Sequence, residues 1–309
     1  MTYAIQTNAL TKCYESTRVV DSLSLTVPDG TVYGLVGPNG AGKTTTIDIL
    51  LDYRRQTSGS VQILGRRPQE VVPVHQRIGI LPQGFSVYPS LTGRQHLRLV
   101  IETKQADDTP AELLTRVGLG DAGEQVAETY SRGMKQRLAL AMALVGEPEL
   151  LILDEPFNGL DPGGVMKVRE ILAEENQRGA TIFFSSHVLT QVETICDQIG
   201  IMHDGALVAE GSFPELVDGA PIGPVIRIVP AERMHDVHSS LVRHESVHFV
   251  SIAENSLLAH LAEDSNLESF ESHVRNMDVA IGEIKQESPG MESIYLAYTE
   301  DTSILEVEP

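Results

Sequence analysis

A chain of 309 residues with 41% apolar side chains is long enough for two packed domains and too apolar for a disordered protein. Its net charge of −20 argues against general binding to nucleic acid or insertion into anionic lipid, which call for clustered Lys and Arg. Two cysteines exclude a disulfide framework. The acidity leaves two interpretations open, namely adaptation to high salt and an ordinary acidic protein.

The N-terminal residues carry neither a basic segment nor an apolar run, and no stretch approaches the roughly 20 apolar residues of a membrane-spanning helix. We therefore expect neither a signal peptide nor a spanning segment.

Strand-like and helix-like segments alternate over residues 1–218, which predicts an α/β domain. An apolar strand at 31–37 leads into a glycine-rich loop and a helix. The continuous apolar runs at 150–155 and 180–186 predict strands buried on both faces. Between these two runs, apolar residues recur at helical spacing until Gly179 ends the helix. The sequence therefore predicts a sheet core with helices between its strands.

Two further segments differ from this pattern. Residues 88–130 are polar, prone to helix and free of strong strand runs, which predicts a helical subdomain inserted between the halves of the sheet. The Gly/Pro-rich segment 219–224 predicts a linker. Beyond it, residues 225–309 follow the order β-α-β-β-α-β, which predicts a small α+β accessory domain of ferredoxin-like topology.

The segment GPNGAGKTT at 37–45 matches the phosphate-loop pattern G-x-x-x-x-G-K-[ST] between a strand and a helix. Its glycines let successive N–H groups face phosphate oxygens, and the helix that follows adds its positive end. Lys43 is expected to reach the β- and γ-phosphates, and the Thr44 hydroxyl to bind Mg²⁺. A glycine-rich turn without a ligand is the alternative, and the strand–loop–helix context disfavours it. The predicted nucleotide-binding residues of this loop are Gly37, Pro38, Asn39, Gly40, Ala41, Gly42, Lys43, Thr44 and Thr45.

Two acidic residues end the buried strand at 150–155. Asp154 can hold Mg²⁺ through water, and Glu155 can orient or deprotonate an attacking water molecule. By itself Glu155 would be an ordinary solvated loop acid, but Pro156 and the segment GLD at 159–161 favour the catalytic role.

With these motifs in this order, residues 3–217 resemble the nucleotide-binding subunits of ATP-binding cassette (ABC) transporters. The resemblance implies that Tyr14 stacks on adenine and that Gln83 links Mg²⁺ and the attacking water to a membrane partner. It also implies that His187 contacts the γ-phosphate and that Asp161 lies at a dimer seam. Expected catalytic residues are thus Glu155, His187 and Gln83, and expected Mg²⁺ ligands are Thr44, Gln83 and Asp154.

The segment SRGMKQR, which begins at Ser131, resembles the family signature LSGGQ with its following QR. The resemblance implies that Ser131 and Gly133, at the start of a helix, receive a γ-phosphate. Three residues depart from the family pattern, because Tyr130 replaces leucine, Arg132 replaces the first glycine and Met134 replaces the glutamine.

The family resemblance implies a P-loop fold of the ABC ATPase type and a head-to-tail dimer that hydrolyses ATP with Mg²⁺. The partners would be a second copy or a similar cassette and a separately encoded membrane permease, with the chain cytoplasmic on the inner face of the cell membrane. Residues 290–301 resemble the ending of drug-resistance-type exporter ATPases.

Two alternatives stay open. One is a soluble ABC ATPase acting on ribosomes or DNA, although such relatives usually carry two cassettes or long coiled coils. The other is a regulatory C-terminal domain, whose histidines show no compact metal-ligand spacing except His244 and His248.

Overall fold

The computed structural model describes residues 2–70, 75–253 and 255–299. They form two compact units, divided between Phe213 and Pro214, a few residues before the Gly/Pro-rich segment 219–224. Within the described residues, no helix has the length and apolar character needed to cross a bilayer.

The first unit contains ten strands and six helices within its described part. In chain order they are β1 (Tyr3–Tyr14), β2 (Thr17–Leu23), β3 (Thr26–Pro28), β4 (Val32–Val36), α1 (Lys43–Leu50), β5 (Ser58–Ile63), β6 (Ile78–Leu81), α2 (Gly93–Lys104), α3 (Pro110–Arg116), α4 (Arg132–Leu144), β7 (Leu150–Asp154), α5 (Pro162–Gln177), β8 (Thr181–Ser186), α6 (Leu189–Ile195), β9 (Gln198–His203) and β10 (Ala206–Gly211).

A six-stranded sheet in the order β10-β9-β4-β8-β7-β6 forms the centre of this unit. Its strands run parallel except β10, which pairs antiparallel with β9. A second, antiparallel sheet joins β1 to β2, β3 and β5. The predicted α/β fold with a mixed sheet is thereby confirmed.

Strands β7 and β8 are buried along their whole length, as their continuous apolar runs predict. Because parallel strands end at the same edge of a sheet, the loops that follow β4, β7 and β8 lie side by side. This edge carries the glycine loop and both acidic residues of the sequence motifs.

Helices α2, α3 and α4 are inserted between β6 and β7, which are neighbours in the sheet. The three helices contact one another, and α4 also packs on β6. Thr92 begins α2 with a capping box, in which its hydroxyl accepts from the Gln95 N–H and the Gln95 side chain accepts from the Thr92 N–H.

The second unit contains α7 (Phe213–Gly219, whose first residue closes the first unit), β11 (Val225–Pro230), α8 (Met234–Leu241), β12 (Val247–Ala253), β13 (Ser256–Leu261), α9 (Leu267–Arg275), β14 (Ile281–Glu287) and α10 (Met291–Thr299). Its antiparallel sheet has the order β12-β13-β11-β14, which is the ferredoxin-like arrangement predicted from the sequence. Its core packs Ile228 and Leu257 of the sheet against Leu241 of α8 and Phe270 of α9. Of the C-terminal segment that resembles the exporter ATPases, Glu300 and Asp301 lie outside the described residues.

Candidate functional site

The loop between β4 and α1 needs glycine for two physical reasons. Gly40 and Gly42 have positive φ angles of 91° and 102°, in the region that residues with a Cβ rarely adopt. A Cβ on Gly37 would lie 2.2 Å from the carbonyl oxygen of Met202, and one on Gly42 would lie 2.5 Å from that of Val19. The loop backbone therefore approaches its neighbours more closely than any other residue allows.

Lys43 begins α1 with its side chain buried under this loop. Its Nζ lies 2.5 Å from the Gly37 carbonyl oxygen and 3.0 Å from that of Pro38. Burial lowers the pKa of Lys43, while the nearby carboxylates of Glu155 and Asp154 oppose that shift.

No side chain caps the start of α1, since Gly42 is at the cap position, so its first N–H groups point to where an anion can bind. The other predicted loop residues lie around this point. Asn39 is exposed, Ala41 is buried, and Pro38, Thr44 and Thr45 are half-buried.

Three oxygen-bearing side chains lie together beside the loop. The Thr44 hydroxyl donates to Oε1 of Gln83 at 3.1 Å, and it lies near enough to Asp154 to affect the pKa of that carboxyl. Burial raises the pKa of Asp154, and the hydroxyls of Ser185 and Thr44 oppose that rise. A hydroxyl, an amide oxygen and a carboxylate form the hard donor set that Mg²⁺ prefers, and a divalent cation would offset the buried negative charge. The residues present therefore fit this ion.

Outside this mixed set, the described part of the chain shows no cluster of three or more His, Cys, Asp or Glu side chains that could hold a metal.

Ser185 connects the two acidic residues, and reading the sequence alone missed it. Its hydroxyl donates a short hydrogen bond to Oδ1 of Asp154 and accepts the backbone N–H of Glu155 at 3.0 Å. Ser185 lies at the end of β8, opposite Asp154 in the parallel pairing of β7 with β8. The signal available in the sequence was a hydroxyl residue at the same end of the next buried strand.

Glu155 lies between two groups that can carry positive charge. Its Oε2 is 2.8 Å from Nδ1 of His187, and its Oε1 is 3.8 Å from Nζ of Lys43. The hydrogen bond to Glu155 raises the pKa of His187, and burial opposes that rise. The Glu155 backbone has a left-handed φ of 51°, and its side chain is buried. The structure thus brings together Lys43, Thr44, Gln83, Asp154, Glu155 and His187.

Two signature residues, Ser131 and Gly133, lie at the start of α4 and, within the part of the chain that the structure describes, do not contact this group. Ser131 caps the helix, accepting the Met134 N–H at 3.2 Å, and is exposed. Gly133 lies close to the backbone of Gly159. Among the described residues, the contacts of Ser131 and Gly133 do not reach the phosphate loop of their own chain.

Tyr14 lies at the end of β1 with two cations beside its ring. Arg54 donates from Nη1 to the phenol oxygen at 2.9 Å, and Nζ of Lys12 lies 4.9 Å from the ring centroid. Strand β2, which pairs with β1, carries the Val19 carbonyl that touches Gly42. Stacking of Tyr14 on adenine stays a prediction.

Asp161 has a local structural role beside the predicted one. It caps α5, where its Oδ1 accepts the N–H of Gly164 at 2.8 Å ahead of Pro162 at the first helical position. An aspartate directly before proline is a common helix start, so this role could have been predicted. Its place at a dimer seam stays a prediction.

Comparisons with known proteins agree with this geometry. Residues 20–158 match the sequence profile of the family described as ABC transporter. The chain is 42% identical over 220 residues to the bacitracin transport ATP-binding protein BcrA of Enterococcus faecalis, covering 70% of this chain and 71% of that protein. It is 38% identical over 244 residues to the daunorubicin/doxorubicin resistance ATP-binding protein DrrA of Streptomyces peucetius, covering 77% of this chain and 72% of that protein.

A solved ATP-binding subunit of an ABC transporter superposes with a TM-score of 0.65 at 30% identity, covering 70% of this chain and 92% of that one. The matching family profile, these relatives and the grouped nucleotide motifs lead to one conclusion: the chain belongs to the ATP-binding subunits of ABC transporters and is an ATPase coupled to transport.

Proposed function

We propose that this chain binds Mg²⁺ and ATP at the phosphate loop, hydrolyses ATP with Glu155 as the general base, and works as half of a dimer that drives an exporting permease. The observation that carries the proposal is the Glu155 carboxylate, buried beside Lys43 and hydrogen bonded to His187.

The phosphate-binding step begins with Lys43. Its ammonium exchanges the carbonyls of Gly37 and Pro38 for the β- and γ-phosphate oxygens of ATP, while the N–H groups of the loop and of α1 bind the same phosphates. Thr44, Gln83 and Asp154 are the side chains that hold Mg²⁺. The bound ion supplies positive charge that stabilises the phosphate oxygens during transfer.

In the hydrolytic step, the oxygen of a water molecule attacks the γ-phosphorus and the bond to the β–γ bridging oxygen breaks, giving ADP and phosphate. Glu155 accepts the proton of that water. Its hydrogen bond to His187 fixes the orientation of the carboxylate, and the second nitrogen of His187 can donate to the γ-phosphate.

A dimer follows from the position of the signature. Ser131 and Gly133 lie at a helix start suited to a phosphate, yet their contacts do not reach the phosphate loop of the same chain. A head-to-tail partner brings its own phosphate loop to them. Because one chain carries every predicted catalytic and signature residue, the partner we propose is a second copy, with a similar cassette as the alternative.

The helical insertion provides a surface for the permease. An apolar groove of about 630 Å³ lies along α2, and Tyr88 and Leu99 at its edge are 65% and 47% exposed. Tyr88 follows Gln83 by one short loop, so a displacement of that loop connects the groove with the Mg²⁺ ligands. The occupant we propose is a short apolar helix of the permease, which places the chain on the inner face of the membrane.

The direction of transport is proposed from the relatives. One of them is described as a bacitracin transport protein, and another as a daunorubicin/doxorubicin resistance protein. Removal of a toxic compound from the cell accounts for both transport and resistance, and we assign export to this chain on that basis.

The test is affinity purification of the chain from detergent-solubilised membranes. We expect a stoichiometric membrane protein with several hydrophobic spans, lost in Leu99→Arg but kept in Val208→Arg, which alters an exposed apolar residue of β10 outside the groove. Both variants should keep their ATPase activity. Recovery with ribosomal or DNA-repair proteins instead would contradict the transporter role and favour the alternative ABC ATPase function.

A further inference from the structure

Arg132 is the residue at which the signature departs most in size and charge from the motif it resembles. Its Nη2 donates to Oδ1 of Asn158 at 2.7 Å. A Cβ on Gly159 would lie 2.5 Å from Nε and 2.6 Å from Cδ of Arg132, so the arginine side chain rests directly on the Gly159 backbone. Gly159 itself has a positive φ of 73°. This contact therefore depends on both the arginine and the glycine.

The loop 155–159 is held to α4 at a second point. Gln136, one turn after Arg132, donates from Nε2 to the backbone carbonyl of Glu155 at 3.0 Å, and the Asn158 N–H donates to the same carbonyl at 3.1 Å. Glu155 has a left-handed φ, a strained conformation for a residue other than glycine, which persists only where neighbouring contacts hold it. Contacts from α4 thus fix both ends of the loop that carries the Glu155 carboxylate.

A second cation on α4 provides a comparison. Lys135 and Arg132 line the same cavity of about 310 Å³, together with Glu155 and Asn158. The Lys135 ammonium makes no hydrogen bond or ion pair to the described residues, whereas Arg132 bonds to Asn158. Substitution of Lys135 therefore removes a positive charge from this cavity without removing a contact of loop 155–159.

We propose that Arg132 is a positioning residue that fastens loop 155–159 to the start of α4 and thereby sets the placement of the Glu155 carboxylate. The inference rests on the proposed function in two respects, namely that Glu155 activates water and that Ser131 and Gly133 face the ATP of a head-to-tail partner. It adds a coupling between the two sites of the dimer. The start of α4 receives the γ-phosphate held by the other subunit, while the loop attached to it carries Glu155 of its own site.

The coupling between the two sites passes through the first turn of α4. Binding of a γ-phosphate at Ser131 and Gly133 restrains the first turn of α4. Arg132 lies in that turn and transmits the restraint to Asn158 and Gly159. ATP bound at one site therefore favours the productive position of Glu155 at the other, which gives positive cooperativity in ATP hydrolysis.

The experiment compares Arg132→Ala, Asn158→Ala, their double variant and the matched control Lys135→Ala in steady-state ATP hydrolysis. We expect each of the two single substitutions to lower kcat about 5- to 10-fold, with KM changed less than about twofold, as the loss of one solvent-exposed hydrogen bond predicts. The double variant should be no slower than the slower single variant. The Hill coefficient should fall towards one in both single variants and stay at the wild-type value in Lys135→Ala.

Amide hydrogen exchange tests the attachment without depending on activity. Peptides covering 155–160 should exchange faster in Arg132→Ala than in wild type and Lys135→Ala, while peptides of β7 should stay unchanged. Wild-type kcat and exchange rates in Arg132→Ala, or fully additive effects in the double variant, would overturn the inference while leaving the ATPase intact. A faster-exchanging loop without any change in kcat would show attachment without a positioning role, and would also overturn it.

Discussion

Glu155 and His187 form a hydrogen-bonded pair, with Oε2 and Nδ1 2.8 Å apart at the ends of neighbouring strands β7 and β8. The other carboxylate oxygen lies 3.8 Å from the Lys43 ammonium. When Lys43 turns to the phosphates of ATP, His187 still holds the carboxylate in place. In the mechanism we propose, the lysine binds phosphate and the histidine orients the Glu155 carboxylate as the base.

The stability of this pair should depend on pH with a defined sign. Because its bond to Glu155 raises the pKa of His187 above the ordinary value of about 6.5, the folded state binds the proton more tightly than the unfolded chain does. The stabilisation is complete below about pH 6.5 and is lost as the pH rises through the raised pKa. Urea unfolding of wild type and His187→Asn between pH 5.5 and 9 should show a difference that shrinks with rising pH.

An NMR titration of the His187 ring provides the matched measurement. A His187 pKa below about 6.5 would contradict the prediction.

The charge of Asp154 should lower the stability of the ligand-free protein, although the proposed Mg²⁺ site requires it. Because burial raises its pKa, the ionised carboxylate is unfavourable in the ligand-free protein at neutral pH. Asp154→Asn keeps an acceptor for the Ser185 hydroxyl and removes the charge, so we expect a gain in unfolding free energy at neutral pH. Because the Mg²⁺ ligand is lost, ATPase activity should fall about 100-fold or more. Denaturant unfolding and ATP hydrolysis measure the two effects.

The gain from Asp154→Asn should also shrink as the pH falls through the raised pKa, since the wild-type carboxyl then becomes neutral. Asp121→Asn, at an exposed acid of the helical insertion, is the control and should change neither property. A destabilised Asp154→Asn protein would show that the carboxylate contributes net stability, contrary to this account.

Gly42 and Gly40 offer a matched pair for testing the phosphate loop. Both have positive φ, so alanine at either position costs about 1–2 kcal/mol of backbone strain. Only at Gly42 would the new Cβ also collide with a backbone oxygen, that of Val19, whereas the space beside Gly40 is open. We expect Gly42→Ala to cost about 2 kcal/mol more than Gly40→Ala, because overpacking adds 1–3 kcal/mol.

Gly42→Ala should show a lower midpoint of thermal unfolding than Gly40→Ala, and it should also bind nucleotide more weakly. Equal loss of stability in both would mean that the loop moves freely away from Val19, which would contradict the close packing described for it.

Local sequence patterns predicted those parts of the protein whose residues are consecutive in the chain. The glycine loop, Lys43 and Thr44 occupy consecutive positions, and β7 is a run of apolar residues that ends in Asp154. The order of strands and helices after residue 225 was sufficient to predict the ferredoxin-like unit.

Contacts between distant residues could not be predicted, because they depend on strand register and loop geometry. Ser185 reaches Asp154 only through the pairing of β7 with β8, 31 residues apart. The contacts of Arg132 with Asn158 and with the Gly159 backbone depend on the path of loop 155–159, which no local pattern in the sequence predicts. Sequence patterns therefore predicted candidate site residues, and the fold determines how these residues are held together.

The most direct test of the account is ATP hydrolysis by Glu155→Gln, with Glu170→Gln, an exposed carboxylate of α5, as control. Glutamine keeps the size of the side chain but cannot accept the proton of water, so kcat should fall about 10²- to 10⁴-fold. The variant should still bind ATP and elute as a stable ATP-bound dimer in size-exclusion chromatography, while the control behaves as wild type. Steady-state hydrolysis within about fivefold of wild type would contradict the assignment of Glu155 as the base.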